Sequence, residues 1–177
     1  MIQMAIMGFG TIGSGVYDVV NTNRDVIRKN LGGEELDVKY VLDLREFPGK
    51  PVEKVLVHDV NTIMEDPEVK IVVETMGGVE PAFTFVSRAL KAGKSVATSN
   101  KELVAKKGVE LMELAKENHA SFLFGASVGG GIPIIRPLVR CLTADRIEEV
   151  AGILNGTTNY ILTKMDQEGT SFEAALK

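Results

Sequence analysis

The chain has 177 residues, of which 45% are apolar, and a formal net charge of -4. That length suits one domain, or one domain with part of another, and the apolar share is enough to bury a core. The acidic balance and the lack of any long basic run exclude a general attraction to nucleic acid or to an acidic membrane surface.

Residues 2–7 form a short apolar run that ends at glycines, as a buried parallel strand does. Residues 11–30 follow with Ile12, Val16, Val19, Val20 and Ile27 at helical spacing. Residues 38–44 read as a second strand, and 45–51, with two prolines and a glycine, as a loop. A third strand is expected over 70–75, around Ile71-Val72-Val73. Pro81 stands where a helix can begin, and Phe85, Val86, Ala89 and Leu90 carry it to Gly93. Residues 95–98 are strand-like, 101–118 helical with a break expected near Gly108, and 121–124 strand-like again. Alternation of this kind predicts an α/β fold, a doubly wound parallel sheet of the Rossmann type. It is expected to occupy residues 1–130.

The texture then changes. Residues 125–133 hold four glycines, Gly129-Gly130-Gly131 among them. A helix is expected over 134–142, a strand over 146–154 and a helix over 157–167. Ser171 is an N-cap for one more helix that starts near the end of the chain. Residues 131–177 therefore read as the beginning of a second, incomplete α+β unit.

Cys141 is the only cysteine, so no intrachain disulfide is expected and the chain suits a reducing compartment. No charged segment precedes the first apolar run, so it does not read as a signal peptide, and no stretch reaches the ~20 apolar residues of a membrane helix. The expected location is the cytoplasm, with neither a membrane nor a nucleic acid as partner. His58 and His119 lack ligand-spaced cysteines, which leaves a zinc site unsupported. His119 reads as a capping side chain at a helix C-terminus. Cys141, in an apolar helical run without a basic neighbour, reads as a core residue, and Glu34-Glu35 as a solvated turn.

Gly8-Phe9-Gly10-Thr11-Ile12-Gly13 is a G-x-G-x-x-G that follows a strand and opens a helix, the context a dinucleotide site requires. Gly8 permits the turn, Gly10 lets the backbone approach a pyrophosphate, and Gly13 lets the helix pack close to the sheet. Thr11 and Ile12 offer backbone N–H groups at a helix N-terminus, where phosphate is favoured. Near the end of the second strand, Asp43 is placed to accept from an adenosine 2′-hydroxyl, which favours NAD. Arg45 is placed to pair with a 2′-phosphate, which favours NADP. The two point in opposite directions, and both cofactors stay open. Thr75-Met76-Gly77-Gly78 lies at the third strand's C-terminal edge, where small residues let a ribose approach the backbone.

Three further segments complete a pattern: Ala97-Thr98-Ser99-Asn100-Lys101-Glu102, Ala126-Ser127-Val128-Gly129-Gly130-Gly131-Ile132-Pro133, and Gly152-Ile153-Leu154-Asn155-Gly156-Thr157-Thr158-Asn159-Tyr160-Ile161-Leu162. In this order and spacing, with the glycine loop and residues 75–78, they resemble homoserine dehydrogenase along the whole chain. The resemblance implies reversible oxidation of L-homoserine to L-aspartate 4-semialdehyde with NAD or NADP, in threonine and methionine biosynthesis. It implies that Lys101 lies beside the nicotinamide and the reacting hydroxyl as a catalytic residue. Such a group is needed because a proton leaves the oxygen as hydride leaves the carbon. Read without the family, Lys101 is an ordinary solvated lysine at a helix start.

The resemblance further implies a monovalent cation, usually Na⁺, on the backbone carbonyls of Gly125, Val128, Gly130 and Ile132. The family commonly has glutamate where this chain has Gly125. The resemblance makes residues 131–177 the beginning of an incomplete α+β substrate/dimerisation domain, in which Asn155, Gly156 and Thr157 would lie near the substrate. An acidic segment and a second lysine of the family fall beyond Lys177, as does most of the dimerisation sheet of a full-length homodimer. The expectation is a fragment that binds dinucleotide but turns over homoserine poorly. Two other readings stand beside it: a nucleotide-binding module without catalysis, and a different semialdehyde dehydrogenase acting through Cys141.

Overall fold

The computed structural model describes residues 1–153 and 155–177. They form two compact units, Met1–Ser127 and Val128–Lys177.

The first unit is built on a six-stranded sheet. Its strands are β1 (Ile2–Met7), β2 (Leu36–Leu42), β3 (Leu56–Val57), β4 (Val69–Glu74), β5 (Ser95–Thr98) and β6 (Phe122–Leu123). The spatial order is β3-β2-β1-β4-β5-β6, and every neighbouring pair is parallel. Strand β1 shows why both faces must be covered. Met4 and Ile6 are buried in one apolar cluster with Val20, Val38, Val41 and Val52, while Ala5 and Met7 are buried in the other with Val72, Val86, Leu90, Leu103 and Leu111. Successive side chains of a strand point to opposite faces, so an uninterrupted apolar run is what a doubly covered strand needs. Each fully buried side chain of this size contributes about 1.5–3 kcal/mol.

The helices of this unit are α1 (Thr11–Thr22), α2 (Arg24–Asn30), α3 (Val60–Met64), α4 (Ala82–Lys91) and α5 (Lys101–Glu117). The single helix expected over 11–30 is divided at Asn23, where φ is -103° and ψ 25°. The hydrogen-bond ladder nevertheless continues through it, from Asn23 N–H to the Val19 carbonyl and from Ile27 N–H to the Asn23 carbonyl. Helix α5 is unbroken at Gly108, which is buried. The Val104 side chain lies 3.3 Å from where a Cβ of Gly108 would stand, so the glycine makes room for packing within the helix. Asn100 caps this helix, its Oδ1 accepting from Leu103 N–H at 3.1 Å. At the other end Asn118, not the His119 side chain, caps: Asn118 Nδ2 donates to the Leu114 carbonyl at 2.8 Å. His119 ends the helix through its backbone, with φ 54°.

The loop expected over 45–51 is followed by elements the sequence pattern does not announce. These are a 3-10 turn at Pro51–Val55, the two-residue β3, and α3, whose cap Asp59 accepts from Asn61 N–H. Glu34 and Glu35 are exposed, and Glu34 pairs with the terminal amino group of Met1.

The second unit contains α6 (Ile135–Cys141), α7 (Gly156–Glu168) and α8 (Phe172–Ala175). Asn155 caps α7 by accepting from Thr158 N–H at 3.0 Å, and Gly169 ends it at φ 64°. Ser171 caps α8, accepting from Ala174 N–H at 3.3 Å. Helices α7 and α8 pack on each other, and Ile161 and Ala175 are buried. The strand expected over 146–154 is absent among the described residues 146–153, which are irregular and exposed; residue 154 lies outside the described residues. A strand needs a neighbour to take its N–H and C=O groups, and no described strand in this unit offers one. Cys141 is exposed rather than in a core, on a helix that buries no residue. No described helix is long and apolar enough to cross a membrane.

Candidate functional site

The strand order reverses between β1 and β4, and their C-terminal ends open onto a cleft of about 520 Å³. Gly8, Gly10, Asp43, Arg45 and Thr75 line it, all singled out from sequence. Phe9 and Met76, which stand within the two glycine-containing segments, also line it, and so do His58 and Phe85, for which the sequence carried no such expectation. An open α/β sheet binds ligands at such a switch point because the two halves of the sheet send their loops in opposite directions there.

The glycine loop fits an anionic ligand. At Gly8, φ is +94°, and a side chain would meet the Thr75 carbonyl carbon and oxygen at 3.1 Å. A Cβ at Gly13 would stand 2.0 Å from the Gly8 carbonyl oxygen, so α1 crosses the end of β1 more closely than any side chain at this position would allow. At Gly10, by contrast, nothing lies within 4 Å of that position, and the backbone faces open space. Thr11, Ile12 and Gly13 form the first turn of α1, which has no capping side chain and no acidic residue. Its free N–H groups and positive dipole end suit phosphate oxygens. Thr75 Oγ1 donates to the Met7 and Gly8 carbonyls at 3.2 and 2.9 Å, fixing the loop to the end of β4.

At the end of β2 the Asp43 carboxylate is crowded with donors. Phe9 N–H reaches Oδ2 at 2.7 Å, Arg45 N–H reaches Oδ1 at 3.0 Å, and the Arg45 guanidinium takes both oxygens. The guanidinium foremost, with those two amides, holds the Asp43 carboxyl far below the usual carboxylate range. The same pairing raises Arg45. The Arg45 side chain is 61% exposed and lies over the Phe47 ring, 5.3 Å from its centroid. His58 Nδ1 is 2.6 Å from the Asp43 carbonyl oxygen and Nε2 is 2.9 Å from Glu46 Oε1. The carbonyl, and then the carboxylate, raise the His58 pKa.

Lys101 does not line the cleft. It is the exposed first residue of α5, directly after the capping residue Asn100, which lies two residues past the end of β5. Behind it lies a group the sequence reading passed over. Glu74, wholly buried, accepts from Met76 N–H at 2.7 Å, from the Thr98 hydroxyl, and from Asn100 Nδ2 at 3.4 Å. The one signal for it in the sequence is a carboxylate closing the apolar run Ile71-Val72-Val73.

Gly125 belongs to the first unit, in a 3-10 turn, and Val128, Gly130 and Ile132 to the second. The Ile132 carbonyl accepts from Ile134 N–H at 2.9 Å, which leaves it a second lone pair. Asn155, Gly156 and Thr157 are exposed at the start of α7.

Comparison with known proteins agrees along the chain. The family pattern described as "Homoserine dehydrogenase, NAD binding domain" matches residues 8–125, and that described as "Homoserine dehydrogenase" matches residues 133–177. Homoserine dehydrogenase of Bacillus subtilis is 42% identical over 99% of this chain and 41% of its own length. That of Lactococcus lactis is 39% identical, over 99% of this chain and 42% of its own length. The crystal structure of a homoserine dehydrogenase from Thiobacillus denitrificans superposes with a TM-score of 0.88 at 39% identity, over 99% of this chain and 41% of that one. A hyperthermophilic archaeal homoserine dehydrogenase in complex with NADPH gives 0.83 at 30% identity, over 99% of this chain and 59% of that one. The chain spans about two fifths of the length of the curated relatives it matches. With the nucleotide-binding pattern covering residues 8–125 and the sheet order and glycine loop that go with it, the chain belongs to the homoserine dehydrogenase family.

Proposed function

We propose that this chain supplies the NAD(P)-binding domain, and part of the substrate domain, of an oxidoreductase that interconverts L-homoserine and L-aspartate 4-semialdehyde. The observation that carries the reading is the cleft at the β1/β4 switch point, with Gly10 open toward it and the uncapped first turn of α1 next in the chain. In this reading Thr11 and Ile12 N–H groups hold the pyrophosphate. Asp43 and Arg45 face the adenosine ribose, and Thr75 supports the loop between them. The nicotinamide ring, when bound, supplies the hydride acceptor or donor. Lys101 Nζ holds or moves the proton of the substrate hydroxyl, with Asn155, Gly156 and Thr157 beside the substrate. The carbonyl of Gly125 in the first unit and those of Val128, Gly130 and Ile132 in the second are each candidate ligands for a monovalent cation such as Na⁺, since hard cations take oxygen ligands. The partner of the longer protein is a second copy of itself.

The test is steady-state oxidation of L-homoserine with NAD⁺ and with NADP⁺, on residues 1–177 and on a chain of the relatives' length. Loss of positioned groups raises barriers steeply, since orientation alone supplies about 7–11 kcal/mol in favourable systems. The longer chain should turn over and the shorter one barely. Comparable kcat/KM for the two lengths would contradict this assignment of roles.

A further inference from the structure

The Glu74 carboxylate is the most deeply buried acidic group of the described residues, at 0% exposure. Burying a carboxylate is costly unless donors surround it. Here three donors do so, from three different segments, of which the first lines the cleft. Met76 N–H belongs to the loop that lines the cleft, Thr98 ends β5, and Asn100 begins the turn into α5. The links continue outward. Thr98 Oγ1 accepts from Asn100 N–H at 2.9 Å, Asn100 Nδ2 donates to the Gly78 carbonyl, and Asn100 Oδ1 caps α5. Lys101 is the next residue. The adenosine ribose is expected at the β2 end of the switch point, so the nicotinamide half extends across β4 toward β5.

We propose that Glu74 is a positioning residue: its buried carboxylate joins the ends of β4 and β5 and so fixes Asn100 and the start of α5 against the nicotinamide half of the dinucleotide. The proposal rests on the NAD(P) reading of the cleft. It does not make Glu74 a proton donor or acceptor. A carboxylate is required because all three partners donate, and acceptor-only oxygens satisfy them without conflict. Glutamine has one acceptor oxygen and an amide. If the oxygen serves Met76 and Asn100, the amide meets the Thr98 hydroxyl. That hydroxyl already accepts from Asn100 N–H and then has no acceptor for its own proton. A buried donor left without a partner disturbs its neighbours, and these neighbours hold α5.

The experiment compares affinity for NADH or NADPH, whichever the wild-type chain binds more tightly, with affinity for ADP, by calorimetric titration of wild type, Glu74→Gln and Thr98→Val. ADP lacks the nicotinamide half and reads the adenosine side alone. In Glu74→Gln the dinucleotide should weaken about tenfold while ADP changes by less than about twofold; Thr98→Val, which removes one donor, should shift the ratio in the same direction by a smaller factor. A ratio of the two affinities equal to that of wild type overturns the proposal, whether both ligands weaken together or neither does. If Glu74→Gln does not fold, the Thr98→Val ratio decides by the same criterion. A wild-type chain that binds neither ligand overturns the cofactor reading itself, whereas normal wild-type binding with unchanged ratios in the variants removes only the role of Glu74.

Discussion

The Arg45 guanidinium closes on both carboxylate oxygens of Asp43, with Nε 2.9 Å from Oδ1 and Nη2 2.9 Å from Oδ2. From sequence these two residues argue for different cofactors. In the structure they are one unit, in which the acceptor favouring NAD is largely taken up by the cation favouring NADP. Asp43 has little left to offer a 2′-hydroxyl, while most of Arg45 remains exposed. Arg45→Ala should therefore weaken NADPH about tenfold or more, from the ~1.5–3 kcal/mol of a hydrogen bond to a charged group. NADH should change little. Titration of both cofactors measures it, and equal losses for the two would refute the assignment.

The same corner predicts two opposite pH dependences of stability. His58 is raised in the folded state, so its contribution is complete below its ordinary pKa of about 6.5 and fades as pH rises through the folded value. Asp43 is depressed, so its contribution is complete above its ordinary 3.8 and is lost as pH falls through the folded value. The gap in Tm between wild type and His58→Gln should shrink from about pH 6 to about pH 8. A gap that does not vary with pH would show that the contacts of His58 to the Asp43 carbonyl and Glu46 are not maintained in solution.

Gly13 is expected to be the least replaceable glycine of the loop. Its Cβ would stand 2.0 Å from a backbone oxygen, which cannot swing aside as a side chain does. Gly13→Ala should cost about 1–3 kcal/mol of stability, the range for forcing atoms into a packed site. Urea unfolding checks it, and an unchanged midpoint would mean that α1 does not cross β1 so closely.

Lys94 holds the opposite edge of the sheet. Buried at 4% exposure, it donates to the Asp66 and Val69 carbonyls at 2.6 and 3.0 Å, and burial lowers its pKa. Lys94→Met fills similar space but leaves both carbonyls without this donor, at about 1–3 kcal/mol. The loss should appear in unfolding experiments without any effect on nucleotide affinity, because the site lies at the other end of the strands.

The sheet was legible because its inner strands are buried on both faces and their residues say so. Ile2–Met7 and Val69–Glu74 are near-continuous apolar runs, each followed by a turn at glycine or threonine. The glycine loop was legible because its spacing has one backbone solution in that context. Strand β3 was not, since two residues carry no periodicity. The expected strand at 146–154, absent over 146–153, shows the reverse limit: apolar residues state a preference, and only a pairing partner turns it into a strand. Cys141 was misplaced for a related reason, since an apolar neighbourhood in sequence does not supply a core in space. Glu74 escaped notice because a charge closing an apolar strand reads as the strand's solvated end. Its burial depends on Thr98 and Asn100, more than twenty residues away, being brought alongside by β5.

Dinucleotide binding at the switch point requires the glycine loop to receive the pyrophosphate, and replacing Gly10 probes that step. A Cβ there has no atom within 4 Å outside its chain neighbours, so Gly10→Leu should leave the fold intact while its side chain fills the space the phosphates need. Calorimetric titration of NADH and NADPH into wild type and Gly10→Leu, with circular dichroism to show that both are folded, gives the answer. The wild-type chain should bind at least one dinucleotide stoichiometrically, and the variant should lose affinity by at least about a hundredfold, corresponding to ~2.8 kcal/mol. Equal affinity in two folded proteins would contradict this and move the ligand site away from the β1/β4 switch point.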